Sequence, residues 1–262
     1  MMQSALYKVI SQSVEKALRP LGRDIREIEK LQVSRKGPGD FVTGADTRTE
    51  RIIKEGLSKA RPAFGFIAEE GENSVGSDKD HNWIIDPIDG TTNFMHGIPH
   101  FGISVALQHK DEIIAGYIFD PAKGEEFFAE KGKGAFLNGD RLRVSGRTDL
   151  SECLIGTGLP FIGCEGHDRT EREISSIMPK TAGIRRMGAA SLDLAYVAAG
   201  RYDAYWEHNL KVWDIAAGIL IVKEAGGSIT TTSGNQDMLK TGDILASNQH
   251  IHSDIQKLLA AA

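Results

Sequence analysis

Two aspartates three positions apart form the most chemically suggestive feature of the sequence. Asp86 and Asp89 lie in the segment 83–94, which reads WIIDPIDGTTNF. The apolar run predicts a buried strand, and because proline donates no backbone hydrogen bond, we expect the strand to stop at Pro87. In an extended strand the two aspartates would point to opposite faces. A turn at Pro87 would instead let both carboxylates converge beside the Ile88 carbonyl, and such hard oxygen ligands suit Mg²⁺.

The residues that follow predict an anion site. Gly90, Thr91 and Thr92 are expected to begin a helix, whose exposed backbone N–H groups and positive dipole end attract a phosphate. A metal site that abuts an anion site is the arrangement that phosphoester hydrolysis needs.

Other carboxylates lie at the boundaries of predicted elements. Glu69 and Glu70 follow the strand-like run 64–68, and Asp214 lies at the start of a predicted helix. If Glu69 and Asp214 met the two aspartates without a metal, each close pair would repel by about 4 kcal/mol at an effective dielectric near 20. Such a cluster is tolerable only with cations between its members, and two Mg²⁺ would balance four carboxylates.

A purely structural interpretation fits each of these residues taken singly. Asp-Pro is a common turn dipeptide. An aspartate in the first turn of a helix is an ordinary cap.

The elements that must position these acids can be predicted from periodicity. Apolar residues from Leu6 to Ile28 recur at helical spacing. Residues 43–46, Thr-Gly-Ala-Asp, resemble a capping box that opens a second helix extending to about Ala60. Short β-rich runs then predict an antiparallel meander over residues 64–68, 83–85, 103–108, 113–119 and 126–129, with Asn138-Gly139 as a hairpin turn.

After about residue 150 strands and helices alternate, with Gly226-Gly227 ending a helix that begins at Asp214. No linker or repeat interrupts the chain. The pattern predicts an α+β or mixed α/β fold, with residues 1–262 as a single domain whose lobes are approximately 1–145 (α+β) and 146–262 (α/β).

Composition narrows the class of protein. The chain has 262 residues, a net charge of −5 and an isoelectric point near 5.9, which argues against nucleic acid as the main partner. Its two cysteines, Cys153 and Cys164, are too few for a disulfide framework. No stretch has the approximately 18 apolar residues of a membrane span, so we expect a cytoplasmic protein.

Two longer motifs resemble the signatures of the inositol monophosphatase family. The first combines residues 83–94 with Gly97-Ile98-Pro99 and the run 101–107, and the second covers 212–218 with 224–227. Both occur in the family's order and spacing, and the resemblance extends over essentially the whole chain. It implies a layered α-β-α-β-α sandwich of the sugar phosphatase type, usually a homodimer, with lithium-sensitive, Mg²⁺-dependent hydrolysis of a phosphate monoester.

The resemblance also implies the roles of individual residues. A first Mg²⁺ would be held by Glu69, Asp86 and the Ile88 carbonyl, and a second by Asp86, Asp89 and Asp214, with two or three ions per subunit. Glu69, Thr91 and Asp46 would be catalytic, positioning the attacking water, and Lys36 matches a basic residue near the family's site. The substrate contacts implied are Asp89, Gly90, Thr91, Gly188, Ala189, Ala190, Glu207 and Asp214.

The identity of the substrate is the open question. Inositol-1-phosphate is the leading candidate, because Thr91 to Phe94 and Glu207 fit that branch. The family usually has a hydroxyl residue where this chain has Ala189, which weakens that assignment. The alternatives are a related sugar-phosphate, histidinol-phosphate or nucleotide 3′-phosphatase, or a regulatory protein associated with RNA or the transcription machinery.

Several other residues receive no chemical role. His96 and His100 flank Gly97-Ile98-Pro99, but an oxygen-rich site favours magnesium over the metals that histidine binds. His208 and His250 are expected in surface or loop positions. The Arg185-Arg186 pair could approach a substrate phosphate, a dimer partner or only solvent.

Overall fold

The computed structural model describes residues 4–28, 33–37 and 40–262. Over these ranges the chain forms eight α-helices and three β-sheets. The helices are α1 (Ala5–Arg26), α2 (Gly44–Ala60), α3 (Thr91–Met95), α4 (His167–Ile177), α5 (Ala190–Ala198), α6 (Val212–Glu224), α7 (Met238–Thr241) and α8 (His252–Ala260). None of them is long and apolar enough to span a lipid bilayer.

The largest sheet has seven strands in sequence order. They are β3 (Gly65–Ala68), β4 (His81–Asp89), β5 (Gly102–His109), β6 (Glu112–Asp120), β7 (Glu125–Glu130), β8 (Gly134–Leu137) and β9 (Asp140–Arg141). A separate two-stranded hairpin, β1 (Val33–Gly37) with β2 (Asp40–Thr43), precedes it. The predicted meander is therefore present from β4 onward, with Asn138 and Gly139, both at positive φ, forming the two-residue turn between β8 and β9.

One pairing in this sheet differs from the prediction. Strands β3 and β4 are parallel, not antiparallel, with Gly65 opposite Asn82 and Ala68 opposite Ile85. A tight hairpin cannot join parallel strands. The loop 69–80 supplies the return path, so the start of β4 lies beside the start of β3.

The second sheet has five strands, in the order β11-β10-β12-β14-β13. Their bounds are β10 (Leu154–Thr157), β11 (Gly183–Arg185), β12 (Ala204–Glu207), β13 (Ser228–Thr230) and β14 (Ile244–Ser247). Strand β10 is parallel to both of its neighbours, whereas β14 is antiparallel to β12 and β13. The sheet is thus mixed, as expected where helices alternate with strands.

The hydrophobic clusters show how these elements stack. Trp83 and Ile85 pack with α1 and α2, whereas Ile84, between them, packs with α5 and α6 on the other face of the large sheet. Tyr205 of the small sheet joins the α5/α6 cluster, and its neighbour Trp206 joins α4 and α8. The layer order is therefore α1/α2, large sheet, α5/α6, small sheet, α4/α8, which confirms the predicted α-β-α-β-α sandwich.

The central helix layer is apolar on every side. All residues of α6 from Ile215 to Val222 are buried, as expected for a helix between two sheets rather than on a surface. Because α5 and α6 join both sheets in one cluster, the predicted division into lobes near residue 145 stays a prediction.

The helix starts follow local sequence signals. Thr43 and Asp46 form the predicted capping box of α2: the Thr43 side chain accepts from the Ala45 N–H, and the Thr43 N–H donates to Asp46 at 2.9 Å. Helix α1 begins at the Ser4 cap and continues through Pro20. Helix α6 ends just before Gly226, at φ 87°.

The close packing of α6 on the large sheet gives a stability prediction. A Cβ at Gly116 of β6 would lie 2.6 Å from the Ala217 carbonyl oxygen and 3.0 Å from its Cα. We expect Gly116→Ala to lower the free energy of unfolding by about 1–3 kcal/mol, because backbone must move to admit it. Urea unfolding measures this, with Gly146→Ala as control, since no atom lies within 4 Å of a Cβ there. Equal stability of the two variants would contradict the packing described.

Candidate active site

The two aspartates of β4 are brought to one face by a β-bulge. Strand β4 continues through Pro87 to Asp89, so the expectation that it stops at Pro87 is wrong. Asp86 pairs with Ser104 and Asp89 with Gly102, so three steps on β4 match two on β5. The extra residue reverses the alternation of side chains, and proline is tolerated at such a bulge. The predicted convergence of the two carboxylates therefore occurs, but the predicted end of the strand at Pro87 does not.

The chain turns into α3 directly after this bulge. Gly90 caps the helix with φ 90°, a conformation that favours glycine. A Cβ at this position would also lie 3.0 Å from the Gly188 carbonyl oxygen. The predicted helix start at Gly90-Thr91 is thus confirmed, and it lies against the segment that precedes α5.

Two further acids come from distant segments. The Glu69 N–H donates to the Ile85 carbonyl at 3.2 Å, which holds the residue after β3 beside β4. Asp214 lies in the first turn of α6, where its Oδ2 accepts from the Lys211 N–H at 2.7 Å. The start of α6 is tied to the large sheet because the Ser104 hydroxyl donates to the Trp213 carbonyl at 3.1 Å.

The four acids line one cavity of about 370 Å³. Its wall also includes the Ile88 backbone region, Gly90, Thr91, Gly188, Ala190, Arg186 and Glu207. Glu69, Asp86, Asp89 and Asp214, which lie up to 145 positions apart in the sequence (214 − 69), therefore share one space. Arg185 and Arg186 are both exposed, but only Arg186 lines this cavity.

Burial dominates the electrostatics of this cavity. Asp86 is 2% exposed, and its burial raises its pKa well above the usual value. The charges of Glu69, Asp89 and Asp214 raise that pKa further. Burial likewise raises the pKa of Asp214 and brings that of Asp89 to about 6. The carboxylates are thus mutually unfavourable, which is the condition that a divalent cation relieves.

The donor chemistry fits magnesium. The carboxylates and the Ile88 carbonyl are hard oxygen donors, the type that Mg²⁺ prefers. As the side chains are placed in residues 4–28, 33–37 and 40–262, no three His, Cys, Asp or Glu form a group that could hold a metal ion. Each aspartate instead uses one oxygen for a bond within the chain: Asp86 with the Ile88 N–H, Asp89 with Ser191, and Asp214 with the Lys211 N–H.

Thr91 and Asp46 are brought together as expected. Thr91 Oγ1 lies 3.0 Å from the Ile88 carbonyl oxygen and 3.3 Å from Asp46 Oδ1. Asp46 is fully buried, and its Oδ2 accepts from both the amide and the hydroxyl of Thr43. The capping box of α2 thus fixes the carboxylate that faces Thr91. Lys36 falls on β1, and its side chain lies outside the described part of the chain.

The predicted substrate contacts outside the metal-site segments come from residues 188–190 and from Glu207. Gly188, Ala190 and Glu207 are on its wall, whereas Ala189 is 1% exposed and packs near Gly90. Burial raises the pKa of Glu207 to about 7, and the Tyr205 hydroxyl donates to its carboxylate.

The structure adds positioning residues that the sequence did not reveal. The Asn93 amide donates to the carbonyls of His100 and Met187, both at 2.8 Å, which joins α3 to the segment before α5. The Ser191 N–H and hydroxyl both donate to Asp89 Oδ2. Gly158 leaves room for Glu207, because a Cβ there would lie 1.8 Å from the Glu207 carboxyl carbon. Ser191 lies in the first turn of α5, and a serine near a helix start is the one sequence signal that could have indicated such a role.

Comparisons with known proteins agree with this geometry. The model of the inositol monophosphatase family matches residues 2–262. The chain belongs to the inositol monophosphatase family. An inositol-1-monophosphatase of Rhizobium meliloti is 52% identical, over 99% of this chain and 97% of that protein. The Nus factor SuhB of Pseudomonas aeruginosa is 47% identical, over 86% of this chain and 85% of that protein.

Solved structures show the same fold. The extragenic suppressor protein suhB of Bartonella henselae superposes with a TM-score of 0.95 at 50% identity, covering 98% of both chains. An IMPase/NADP phosphatase solved with Mg²⁺ and phosphate has a TM-score of 0.85 at 26% identity, covering 98% of this chain and 95% of that one. The chain is therefore similar to members of the inositol monophosphatase family in both sequence and structure.

The histidines of this family member do not take part in the acidic cluster. His96 is exposed. His100 is buried against Tyr196, and burial lowers its pKa to about 4, so its ring is neutral near pH 7. Neither ring nitrogen of His100 has a hydrogen-bond partner among the described residues. A proton-donating role for His100 is thus disfavoured by its surroundings.

His208 lies in the loop after β12, in line with its predicted surface or loop position, but its side chain is largely buried. Its side chain is 8% exposed and lies between two carboxylates, with Nε2 2.9 Å from Glu173 of α4 and Nδ1 3.1 Å from Asp243. Because side chains alternate along β12, His208 and Trp206 face α4, while Tyr205 and Glu207 face the cavity. The cluster of Glu173, His208 and Asp243 thus anchors the strand end that carries Glu207.

This anchoring gives a second stability prediction. We expect His208→Ala to lower the free energy of unfolding by about 3–5 kcal/mol, because it leaves the buried Glu173 carboxylate without its imidazole partner. Urea unfolding of this variant and of the exposed control His250→Ala separates the two positions. A loss no greater than that of the control would show that the cluster adds nothing to stability.

Proposed function

We propose that the protein is a Mg²⁺-dependent phosphatase that hydrolyses a small phosphate monoester, with inositol-1-phosphate as the preferred substrate. Its family membership makes it a phosphoric monoester hydrolase. The observation that carries the finer proposal is the gathering of Glu69, Asp86, Asp89 and Asp214 in one buried cavity beside Gly90 and Thr91.

The residues proposed to hold the metal are the four acids and the Ile88 carbonyl. Glu69, Asp86 and Ile88 would bind one ion, and Asp86, Asp89 and Asp214 another, so that two Mg²⁺ balance four negative charges. When bound, magnesium supplies Lewis-acid activation of water and neutralises charge on the phosphoryl group.

The remaining groups orient the reactants. The single hydroxyl proton of Thr91 can be given to only one acceptor at a time, and both the Ile88 carbonyl and Asp46 are within reach. When the Thr91 hydroxyl donates to Asp46, its Oγ1 can accept a hydrogen bond from a water molecule, which would align that water beside Glu69 for attack on phosphorus. The backbone N–H groups of Gly90 and Thr91 are proposed to contact the phosphoryl oxygens, where negative charge increases in the transition state.

The leaving group is proposed to occupy the side formed by residues 188–190 and Glu207. A carboxylate at this position can accept hydrogen bonds from two neighbouring hydroxyls of a polyol ring. Arg186 adds a positive charge to the same wall, which favours an anionic substrate.

Three further properties are proposed from the family resemblance. They are inhibition by lithium, assembly as a homodimer and location in the cytoplasm.

The central test is removal of one carboxylate from the metal site. We expect Asp86→Asn to lower turnover on the order of 10³-fold, equivalent to about 4 kcal/mol of transition-state stabilisation. Mg²⁺ should raise the thermal midpoint of the parent protein but not of the variant, because binding to the folded state alone stabilises it. Without Mg²⁺ the variant should be at least as stable as the parent, since a repelling charge is gone. Full phosphatase activity in folded Asp86→Asn would exclude this assignment.

Substrate preference has a separate test. We expect Glu207→Gln to raise KM for inositol-1-phosphate about 10-fold, or about 1.4 kcal/mol, with little change in kcat, because a hydroxyl contact is weakened in both ground and transition states. KM for p-nitrophenyl phosphate, which has no ring hydroxyls, should not change. An equal effect on both substrates would show that Glu207 does not recognise the polyol.

The relatives named Nus factor SuhB favour a second candidate, a binding role in transcription. A panel of phosphate monoesters with and without Mg²⁺ distinguishes the two. Mg²⁺-dependent phosphate release supports the enzyme. No turnover on any monoester, together with binding to purified transcription complexes, supports the regulatory protein.

A further inference from the structure

A second cavity lies away from the acidic cluster, on the outer part of the large sheet. It encloses about 550 Å³ and shares no lining residue with the candidate active site. Its wall is formed by the start of α1 and by strands β6 to β8. This volume is in the range of small-molecule sites. The residues that matter for its chemistry are Tyr7, Phe119, Phe128, Phe136, Glu126 and Glu130.

Aromatic rings supply much of the wall of this outer cavity. Tyr7 and Phe128 meet edge to face, with centroids 5.2 Å apart and planes at 71°. The Arg141 guanidinium carbon lies 6.0 Å from the centroid of Phe136. The faces of aromatic rings attract cations, and the Phe136 ring already has the Arg141 guanidinium near it.

Glu126 fixes a negative charge at the same place. Its Oε1 accepts from the Tyr7 hydroxyl at 2.6 Å and its Oε2 from the Tyr117 hydroxyl at 2.8 Å. Among the side chains that the structure describes, none of the ion pairs formed by Lys, Arg or His involves this carboxylate, whereas its neighbour Glu125 pairs with Arg201. Burial together with Glu126 raises the pKa of Tyr7 to about 12. Burial and Glu126 also raise the pKa of Tyr117, so both tyrosine hydroxyls stay protonated near pH 7 and donate to this carboxylate.

Glu130 adds a second negative charge that is only partly compensated. Its Oε1 pairs with Lys133, whose side chain is 59% exposed, so water shares that ammonium group. Its Oε2 is buried and has no hydrogen-bond partner in the described part of the chain. Among its lining residues the outer cavity thus has two carboxylates and one half-solvated cation, Lys133.

We propose that the outer cavity binds a small organic cation, an amine attached to an apolar or aromatic body. The ammonium group would lie beside Glu126 and Glu130, and the body against the rings of Phe128 and Phe136. Glu126 and Glu130 are partly buried, and a partly buried carboxylate without a full cation partner is unfavourable, so a positively charged ligand gains more here than at the surface. The same excess of negative charge disfavours an anion, which distinguishes this cavity from a second site for the phosphate substrate.

Three probes of nearly equal shape and different charge test the proposal by isothermal titration calorimetry. They are phenethylamine, 2-phenylethanol and phenylacetate. We expect phenethylamine to bind at one site per chain, 2-phenylethanol to bind at least about 10-fold more weakly, and phenylacetate not to bind. Equal binding of the amine and the alcohol, or no binding of the amine, would overturn the proposal.

Two substitutions of opposite sign locate the binding. Glu126→Gln keeps the side-chain shape but should weaken phenethylamine binding about 10-fold or more. Lys133→Gln should strengthen it several-fold, because it removes the competing cation from Glu130. The matched control is Glu112→Gln on β6, a 64% exposed carboxylate paired with Lys131, which should change nothing.

The Lys133 variant also keeps the proposal testable if the Glu126 variant misfolds. If Glu126→Gln fails to fold by circular dichroism, Lys133→Gln decides alone, since its side chain is largely in solvent. Unchanged or weaker amine binding by Lys133→Gln would contradict the proposal. These measurements do not use phosphatase activity, so they stand apart from the proposed function.

Discussion

The structure depends on one electrostatic constraint: four carboxylates from three separate segments must share a buried space. At an effective dielectric near 20, each close pair costs about 4 kcal/mol, whereas the net stability of a domain is about 5–15 kcal/mol. Two or three uncompensated pairs of carboxylates would therefore cancel the entire net stability of a domain. The raised pKa values of Asp86, Asp89 and Asp214 express the same conflict. Such an arrangement persists only where rigid elements hold it and cations offset it.

The fold supplies that rigidity through backbone geometry and not through side-chain pairing. The bulge opposite Ser104 and Gly102 turns Asp86 and Asp89 to one face. Because the Ser104 hydroxyl bonds to the Trp213 carbonyl, the residue paired with Asp86 also positions the helix that carries Asp214. A single register shift in β4 would separate all of these groups.

Periodicity made much of this predictable. Residues 43–46 specified the cap of α2, the Asn138-Gly139 pair specified a hairpin, and the apolar run 83–85 specified a buried strand. The convergence of Asp86 and Asp89 was also predictable, but its cause was not. A proline within a β-bulge and a proline that ends a strand give the same sequence signal. Only the pairing of β4 with β5 distinguishes the two cases. The parallel pairing of β3 with β4 could not be predicted either. The direction of a strand depends on the path of the preceding loop and not on the residues of the strand.

Residues whose role lies in a distant contact were beyond the sequence. His208 gave no signal of burial, since Glu173 and Asp243, its partners, lie 35 positions away on either side (208 − 173 and 243 − 208). The same limit applies to Glu126, whose two tyrosine partners come from α1 and β6. In both cases a carboxylate is satisfied by groups from other elements, which only the folded chain brings together. The acidic cluster was recognisable because its residues adjoin strand and helix ends, where local signals mark the position. Polar groups whose partners lie in other elements carry no such marker, so sequence patterns reveal the reaction site of this fold more readily than the contacts that support it.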